Sequence, residues 1–234
     1  MTDDRVLLIT GASSGIGAAT ARAAAGKYRL VLAARRLEEL EDLAAELGGE
    51  ERALAVRCDV TEWDEVQALA QTALDRFGRI DAVFANAGFG ATRGFLEESP
   101  EHWRSMVLTN VYGVALTIRA TLPHLLERGD GHFLVTSSVA GRRALPGSLY
   151  SATKWAATAI GESLRAELRQ MHENHAIKVT LIEPGMVDTP FFDNRPGDWA
   201  LQDDDIAKAV IYALNQRPGV DVNEILIRPT SQPT

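Results

Sequence analysis

The sequence predicts a single-domain α/β fold: a doubly wound parallel sheet of about seven strands flanked by helices. Short apolar runs alternate with longer amphipathic stretches along the chain, which is typical of βαβ units. Several of the short runs are apolar on both faces, as strands covered by helices on each side are. The 234 residues show no repeat and no linker, so we expect one domain that spans residues 1–234.

Seven runs have the length and the apolar content of strands. In chain order they are Arg5 to Thr10, Arg29 to Ala34, Ala53 to Cys58, Ala82 to Ala85, His132 to Ser137, Lys178 to Ile182 and Glu224 to Ile227. Six stretches carry apolar residues at helical spacing and have acidic or polar starts. They are Ile16 to Ala25, Leu37 to Leu47, Glu62 to Phe77, Glu101 to Glu127, Ser151 to Met171 and Asp203 to Asn215.

Two segments are expected to depart from this alternation. The helix from Glu101 to Glu127 is long enough to contain a break near Thr109. The segment from Gly185 to Gln202 is the longest without a predicted element, and long loops in compact domains often cover binding sites. We therefore expect a substrate lid at about residues 186–202, and the alternative is a surface excursion.

Composition argues against several classes of protein. The net charge of -8 comes without the clustered Lys and Arg that phosphate contacts require, so we expect no nucleic-acid partner. Cys58 is the only cysteine, so no disulfide forms within the chain. The longest apolar runs, such as Val6 to Ile9, fall far short of the roughly 20 residues that a membrane helix needs. The first residues do not resemble a targeting segment, and we expect a cytoplasmic protein with no membrane partner.

A glycine-rich segment, Thr10 to Gly17, lies between the first predicted strand and the first predicted helix. Glycines let the backbone turn tightly and approach a phosphate, and the start of a helix presents its amides to an anion. We expect this loop to bind the pyrophosphate of a dinucleotide, and the alternative is a purely structural turn. The expected contacts are Gly11, Ser13, Ser14, Gly15, Ile16 and Gly17.

The end of the second predicted strand bears on the choice of coenzyme. An acidic residue at this point would bond the ribose 2′-hydroxyl of NAD. The chain instead has Arg35 and Arg36, and arginine favours the 2′-phosphate of NADP through charge-assisted hydrogen bonds. We predict NADP as the cofactor, with Arg35 the leading contact and Arg36 the second. The alternative is that both are solvated residues of a turn.

Tyr150 and Lys154 are candidates for acid–base chemistry. They are four residues apart on a predicted helix, so both side chains project from one face. An ammonium about 4 Å away would lower the pKa of the phenol by up to roughly three units, towards the neutral range. Ser138 would then hold a substrate oxygen at the tyrosine. Such a Tyr-Lys pair is common on helix surfaces. The glycine motif upstream strengthens the interpretation of this pair as catalytic.

Together these motifs resemble the short-chain dehydrogenase/reductase family, over a stretch from Thr10 to about Thr189. The resemblance implies a Rossmann fold in which the glycine loop binds the coenzyme pyrophosphate. Asp59, which precedes Val60, matches the acidic residue that bonds the adenine amino group. The segment Asn86, Ala87 and Gly88 matches the family's NNAG sequence and places Asn86 against the adenosine ribose. Ala85 departs from the first asparagine of that sequence, which bears on the bracing of the sheet.

The resemblance also implies the active-site residues. Asn110 matches the asparagine that holds a water linking the lysine to solvent. Ser138, Tyr150 and Lys154 match the catalytic serine, tyrosine and lysine. The family's serine usually lies one residue further from the tyrosine, so Ser137 is the alternative to Ser138.

The turn after the sixth strand is expected at the nicotinamide. Pro184 and Gly185 match this turn, which places the Val187 backbone and the Thr189 hydroxyl at the nicotinamide carboxamide. Lys154 would also bond the nicotinamide ribose. These roles are implied by the family resemblance alone.

The activity that the resemblance implies is hydride transfer between NADP and a small carbonyl or alcohol substrate. Tyr150 would protonate the substrate oxygen, and Lys154 with Asn110 would resupply the proton. The alternatives are a lyase or epimerase on the same fold, or a non-catalytic NADP-sensing protein. The resemblance also implies a homodimer or homotetramer, with the helix from Ser151 to Met171 in a subunit contact.

His172 and His175 are expected to be exposed, and we predict no metal site, because no acidic or cysteine partner joins them at ligand spacing. Arg142 and Arg143 are expected in a solvated loop rather than against an acidic substrate. Substrate specificity is expected from Phe191, Phe192 and Trp199 in the predicted lid.

Overall fold

The protein is described by a computed structural model over residues 4–92, 94–146, 148–191 and 196–232. Its central sheet has seven strands: β1 (Val6–Thr10), β2 (Arg29–Ala34), β3 (Ala53–Arg57), β4 (Ala82–Ala85), β5 (Gly131–Thr136), β6 (Ile177–Pro184) and β9 (Glu224–Ile227). Their order is β3-β2-β1-β4-β5-β6-β9, and all neighbours are parallel. The predicted single-domain, doubly wound fold is confirmed.

Helices cover both faces of this sheet. They are α1 (Gly15–Ala24), α2 (Leu37–Glu46), α3 (Trp63–Phe77), α4 (Pro100–Val107), α5 (Val114–Arg128), α6 (Leu149–Gln170) and α7 (Asp203–Leu214). Residues of β1 alternate between the two faces, since side chains along a strand point to opposite sides. Val6 and Leu8 pack with α3, α5 and α6, whereas Leu7 and Ile9 pack with α1 and α7. All four are fully buried, so the sheet has a core on each face.

The long helix predicted over Glu101 to Glu127 is divided, as expected from its length. A π-helical turn, Leu108–Gly113, separates α4 from α5 and contains the predicted break at Thr109. Such turns often mark functional positions because the extra residue redirects a side chain. Here the turn holds Asn110, which is completely buried.

The segment predicted to lack any element does contain one. A small parallel pair, β7 (Val187–Asp188) and β8 (Leu201–Gln202), joins its two ends through the registers Val187 to Leu201 and Asp188 to Gln202. The expectation missed it because two-residue strands carry no periodicity. The two ends of the segment are therefore held together by strand pairing. Phe192 lies outside the described residues.

A buried histidine makes the fold sensitive to acid. His132 of β5 is 4% exposed, and its Nε2 lies 2.8 Å from the Thr180 hydroxyl, which itself donates to the Val222 carbonyl. Burial, with a smaller contribution from Lys178, lowers the pKa of His132 to about 3. His132 binds a proton more readily in the unfolded chain than in the folded protein. Its contribution to the free energy of unfolding is therefore fully present above the unfolded pKa of about 6.5, and it is lost as the pH drops towards 3.

We expect the free energy of unfolding to decrease by about 2 kcal/mol between pH 7.5 and pH 5 through this group alone. His132→Gln should remove at least half of that decrease, because glutamine does not titrate. Urea unfolding of both proteins at the two pH values measures it, with His175→Gln at an exposed position as the matched control. A variant that keeps the full pH dependence would contradict the assignment.

Candidate active site

The candidate site is a cleft of 850 Å³ at the carboxyl ends of the strands. The strand order reverses between β1 and β4, and ligands of doubly wound sheets bind at such a switch point. Segments after β1, β2 and β3 line one side of the cleft, and segments after β4, β5 and β6 line the other. Residues predicted from separate motifs thus lie around a single cavity.

The glycine loop has the geometry of a phosphate cradle. Gly11 and Gly15 adopt φ values of +67° and +53°, which other residues rarely tolerate. A Cβ on Gly17 would lie 2.2 Å from the Gly11 carbonyl oxygen, so no side chain fits there. No side chain caps the start of α1 at Ser14. The loop and the first turn of α1 therefore fit a pyrophosphate, whose charge the start of the helix favours.

Asn86 joins the ends of three neighbouring strands. Its Nδ2 donates to the Thr10 carbonyl at 3.2 Å, and its Oδ1 accepts from the Thr136 hydroxyl at 3.0 Å. The Thr10 hydroxyl accepts from the backbone amides of Asn86 and Ala87. Ala85 is buried at the end of β4 and contributes no polar group, so Asn86 and the two threonines supply a brace at this point.

The arginine pair after β2 lies at the cleft with unequal contacts. The Arg36 Nη2 donates to the hydroxyls of Ser13 at 2.9 Å and Ser14 at 3.0 Å, and its Nη1 lies 3.2 Å from the Glu39 carboxylate. Arg35 lines the same part of the cleft and is exposed. A guanidinium and two hydroxyls of the glycine loop therefore converge, an arrangement that suits a phosphate group.

Asp59 lines the same cleft as the two arginines and accepts hydrogen bonds within a local turn. Its Oδ1 accepts hydrogen bonds from the Thr61 amide at 3.0 Å and the Thr61 hydroxyl at 2.8 Å. Its own amide donates to the Glu65 carboxylate. Asp59 and Val60 line the cleft after β3, as do Asn86, Ala87 and Gly88 after β4.

Tyr150 and Lys154 lie in the first turns of α6, as their spacing predicts. The Lys154 ammonium is 5.7 Å from the centre of the Tyr150 ring and donates to the Thr136 carbonyl at 2.9 Å. Lys154 is 4% exposed, and burial lowers its pKa to about 8. It therefore changes charge close to the neutral range.

The pKa of the phenol differs from the expectation. Loss of hydration in the cleft raises the pKa of Tyr150 to about 12, although the hydrogen bond with Ser138 acts in the opposite direction. The expected lowering by Lys154 does not contribute to this shift, and its ammonium donates to the Thr136 carbonyl instead. In this structure Tyr150 therefore carries its proton at neutral pH.

The two candidate serines point to different partners. The Ser137 hydroxyl donates to the Lys154 carbonyl at 3.0 Å and lies 2.7 Å from the Thr158 hydroxyl, so it faces α6. The Ser138 hydroxyl forms a hydrogen bond with Tyr150 and also lies 3.3 Å from the Pro184 carbonyl. Of the two serines, Ser138 is thus the one that the fold brings to the phenol.

Asn110 is directed at the backbone after β4. Its Nδ2 donates to the Phe89 carbonyl at 2.8 Å and to the Thr153 hydroxyl at 3.1 Å, and its Oδ1 accepts from the Phe89 amide at 3.0 Å. The side chain therefore holds the Phe89 segment against α6. The ammonium of Lys154 donates elsewhere, to the carbonyl of Thr136.

The turn after β6 borders the cleft and contacts two other segments. A Cβ on Gly15 would lie 3.2 Å from the Thr189 side chain, which places Thr189 on the glycine loop. The Met186 amide donates to the Gln232 side chain at 3.0 Å. Pro184, Gly185, Val187 and Thr189 all line the cleft.

Arg142 corrects one expectation. Its Nε donates to the Glu183 carboxylate at 2.7 Å, and Glu162 and Glu224 complete an ion-pair cluster. Glu183 is 1% exposed, so Arg142 is a structural link between the Ser138 segment and β6 rather than a solvated loop residue. Its partners lie far away in sequence, and spacing could not reveal them.

Sequence reasoning also missed other residues that line the cleft. They are Phe89, Gly90, Leu108, Leu145, Met186 and Gln232. Apart from Gln232 they are glycine and ordinary apolar residues, which in a sequence are indistinguishable from core positions. Within the described ranges no group of three or more His, Cys, Asp or Glu residues could hold a metal, and no helix is long and apolar enough to cross a bilayer.

Comparisons with known proteins agree with this architecture. A family model described as short chain dehydrogenase matches residues 5–198. An uncharacterized oxidoreductase of Listeria monocytogenes is 37% identical over 245 residues, which covers 98% of each chain. An alcohol dehydrogenase of Thermococcus sibiricus, solved with 5-hydroxy-NADP, is 36% identical with a TM-score of 0.89 over 98% of each chain. A Burkholderia phymatum short-chain dehydrogenase/reductase, solved with NAD, is 30% identical with a TM-score of 0.84, over 96% of this chain and 89% of that one.

Proposed function

Because this chain belongs to the short-chain dehydrogenase/reductase family, we propose that it is an NADP-dependent oxidoreductase acting on a small carbonyl or alcohol compound. The observation that carries the proposal is the convergence of Ser138, Tyr150 and Lys154 at one end of a cleft that has the glycine loop at its other end. A dinucleotide held by that loop would extend towards the tyrosine.

The residues that line the cleft can be assigned to the parts of this coenzyme. The glycine loop would hold the pyrophosphate, and Arg35 and Arg36 would hold the 2′-phosphate. Asp59 and Asn86 would face the adenosine, and Lys154 the nicotinamide ribose. Val187 and Thr189 would meet the carboxamide. When bound, the coenzyme would supply or accept the hydride.

The protein side chains would handle the proton. Tyr150 carries its proton at neutral pH, because its pKa is raised to about 12, and it would donate that proton to the substrate oxygen during reduction. Ser138 would hold the same oxygen by a hydrogen bond. Lys154 would return the proton to Tyr150, since its pKa of about 8 lets it exchange protons near neutrality.

The preference for NADP rests on charge. Arg36 donates hydrogen bonds to two hydroxyls of the glycine loop. Arg35 adds a second positive charge at the position where an NAD enzyme would have an acidic residue. The Thermococcus protein was solved with an NADP derivative and the Burkholderia protein with NAD, so relatives differ in this respect. The arginine pair is the feature of this chain that favours NADP.

We expect NADPH to be oxidised in the presence of small aldehydes or ketones, with one alcohol formed for each NADPH consumed. Absorbance of NADPH together with chromatography of the product measures this ratio. NADPH that binds and is never oxidised would point instead to a sensing protein. A carbonyl compound that changes while the coenzyme keeps its redox state would point to a lyase or epimerase.

A homodimer or homotetramer, the subunit contact through α6, the cytoplasmic location and the role of residues 186–202 as a lid stay predictions. Sedimentation of the purified protein would measure the first of them.

A further inference from the structure

We propose that the substrate is an uncharged, largely apolar compound, and that Phe191 and Gly90 together set the wall of its pocket. The inference rests on the proposed function, because it places the substrate at Tyr150. It goes further by naming the chemistry that the pocket accepts and two specificity-determining residues.

The part of the cleft around Tyr150, here called the substrate pocket, is mostly apolar. Its apolar side chains come from four segments: after β4, from the π-helical turn, before α6 and after β6. They are Phe89, Leu108, Leu145, Met186 and Phe191. Ser105 and Ser148 add uncharged hydroxyls. Such a lining favours burial of apolar surface and offers neutral hydrogen-bond partners.

Charged groups of the cleft lie away from this pocket or are already engaged. Among the described residues that line the cleft, the charged side chains are Arg35, Arg36, Asp59 and Lys154. The first three follow β2 and β3, which lie on the far side of β1 from β4, β5 and β6. The Lys154 ammonium is buried and donates to the Thr136 carbonyl. A charged group on the substrate would therefore lose its hydration without gaining an opposite charge.

Phe191 forms the wall that faces Tyr150. The two ring centres are 5.8 Å apart and the ring planes meet at 67°, an edge-to-face contact. The ring also covers Gly90, where an added Cβ would lie 2.7 Å from Cε1 and 3.0 Å from Cζ of Phe191. Gly90 has no positive φ, so its backbone would accept alanine. An alanine at Gly90 would therefore have to push the Phe191 ring aside.

The first test compares binding within a set of benzaldehydes of similar shape. Benzaldehyde, 4-methylbenzaldehyde, 4-carboxybenzaldehyde and 4-(trimethylammonio)benzaldehyde are titrated calorimetrically into Tyr150→Phe saturated with NADPH, which separates binding from turnover. We expect the neutral compounds to bind at least about 30-fold more tightly than either charged one. Equal or tighter binding of a charged compound would overturn the inference. Turnover of the same set by the unchanged protein tests the proposed function separately.

The second test uses the contact between Gly90 and Phe191. Gly90→Ala should raise the KM for benzaldehyde about tenfold, because the new methyl group displaces the ring into the pocket, and leave the KM for NADPH unchanged. Phe191→Ala should accept bulkier ketones such as benzophenone. In the double variant the methyl group meets no ring, so adding Gly90→Ala should have little further effect. Strictly additive effects, with thermal unfolding showing every variant folded, would overturn the assignment of the wall.

Discussion

Replacing Tyr150 by Phe is expected to lower kcat by about 10³-fold or more and to leave NADPH affinity within about threefold. General acid catalysis by a positioned group contributes roughly 10²- to 10⁴-fold, and phenylalanine cannot supply the proton. The hydroxyl is the only group removed. The prediction therefore tests the role of Tyr150 directly.

The rest of the site should survive this substitution. The ring that packs against Phe191 is retained, and the Ser138 hydroxyl keeps its contact with the Pro184 carbonyl. Lys154 remains bonded to the Thr136 carbonyl, which does not depend on the phenol. Binding of the coenzyme and the substrate should consequently change far less than turnover.

Steady-state kinetics with NADPH and a neutral aldehyde, together with fluorescence titration of NADPH, measure both quantities. Tyr212→Phe is the matched control, because Tyr212 is 57% exposed on α7 and lies outside the cleft lining. A Tyr150→Phe protein with more than a tenth of the normal kcat would refute the role of the phenol. Loss of NADPH binding in parallel would indicate a folding defect instead.

The features that the sequence predicted are those with a local or periodic signature. The alternation of apolar runs and amphipathic stretches predicted the seven strands to within about two residues at their ends. The four-residue spacing of Tyr150 and Lys154 placed both on one face of a helix, since that geometry follows from the helical repeat alone. The glycine loop was recognisable because its position between a strand and a helix is itself a signal.

The features that the sequence could not predict depend on contacts across the fold. The choice of Ser138 over Ser137 came from the family resemblance, since spacing alone does not show that Ser137 faces α6 and Ser138 meets the tyrosine. Arg142 looked solvated because Glu183 and Glu224 reach it only after β6 and β9 have paired. The wall at Gly90 and Phe191 follows from a close approach between two loops, which has no signature in either.

The direction of the Tyr150 pKa shift shows the same limit. Spacing correctly brought an ammonium near the ring, and the expectation followed from charge alone. Burial acts on both groups and disfavours the charged form of each. It therefore raises the pKa of the Tyr150 phenol and lowers the pKa of the Lys154 ammonium. Burial is a property of the whole cleft, and it decides which form of the tyrosine is present before catalysis.

Removing both arginines after β2 is expected to give the second largest effect, on the choice of coenzyme. A hydrogen bond to a charged group contributes about 1.5–3 kcal/mol, so Arg35→Ala with Arg36→Ala should raise the Kd of NADPH by about 10²-fold or more. NADH lacks the 2′-phosphate, and its Kd should change by less than about threefold. Fluorescence titrations with both coenzymes measure the ratio, and Arg217→Ala, at an exposed arginine between α7 and β9, is the matched control.

The single variants separate a phosphate contact from a structural one. Arg36 is bonded to Ser13 and Ser14, so a purely structural role would weaken NADPH and NADH equally when it is removed. A role in binding the 2′-phosphate would weaken NADPH alone, and Arg36→Lys would restore only part of the affinity because an ammonium lacks the planar fork of arginine. Arg35 has no such tie to the glycine loop in this structure, and its removal should act on NADPH only. Equal losses for both coenzymes in both single variants would contradict the preference for NADP.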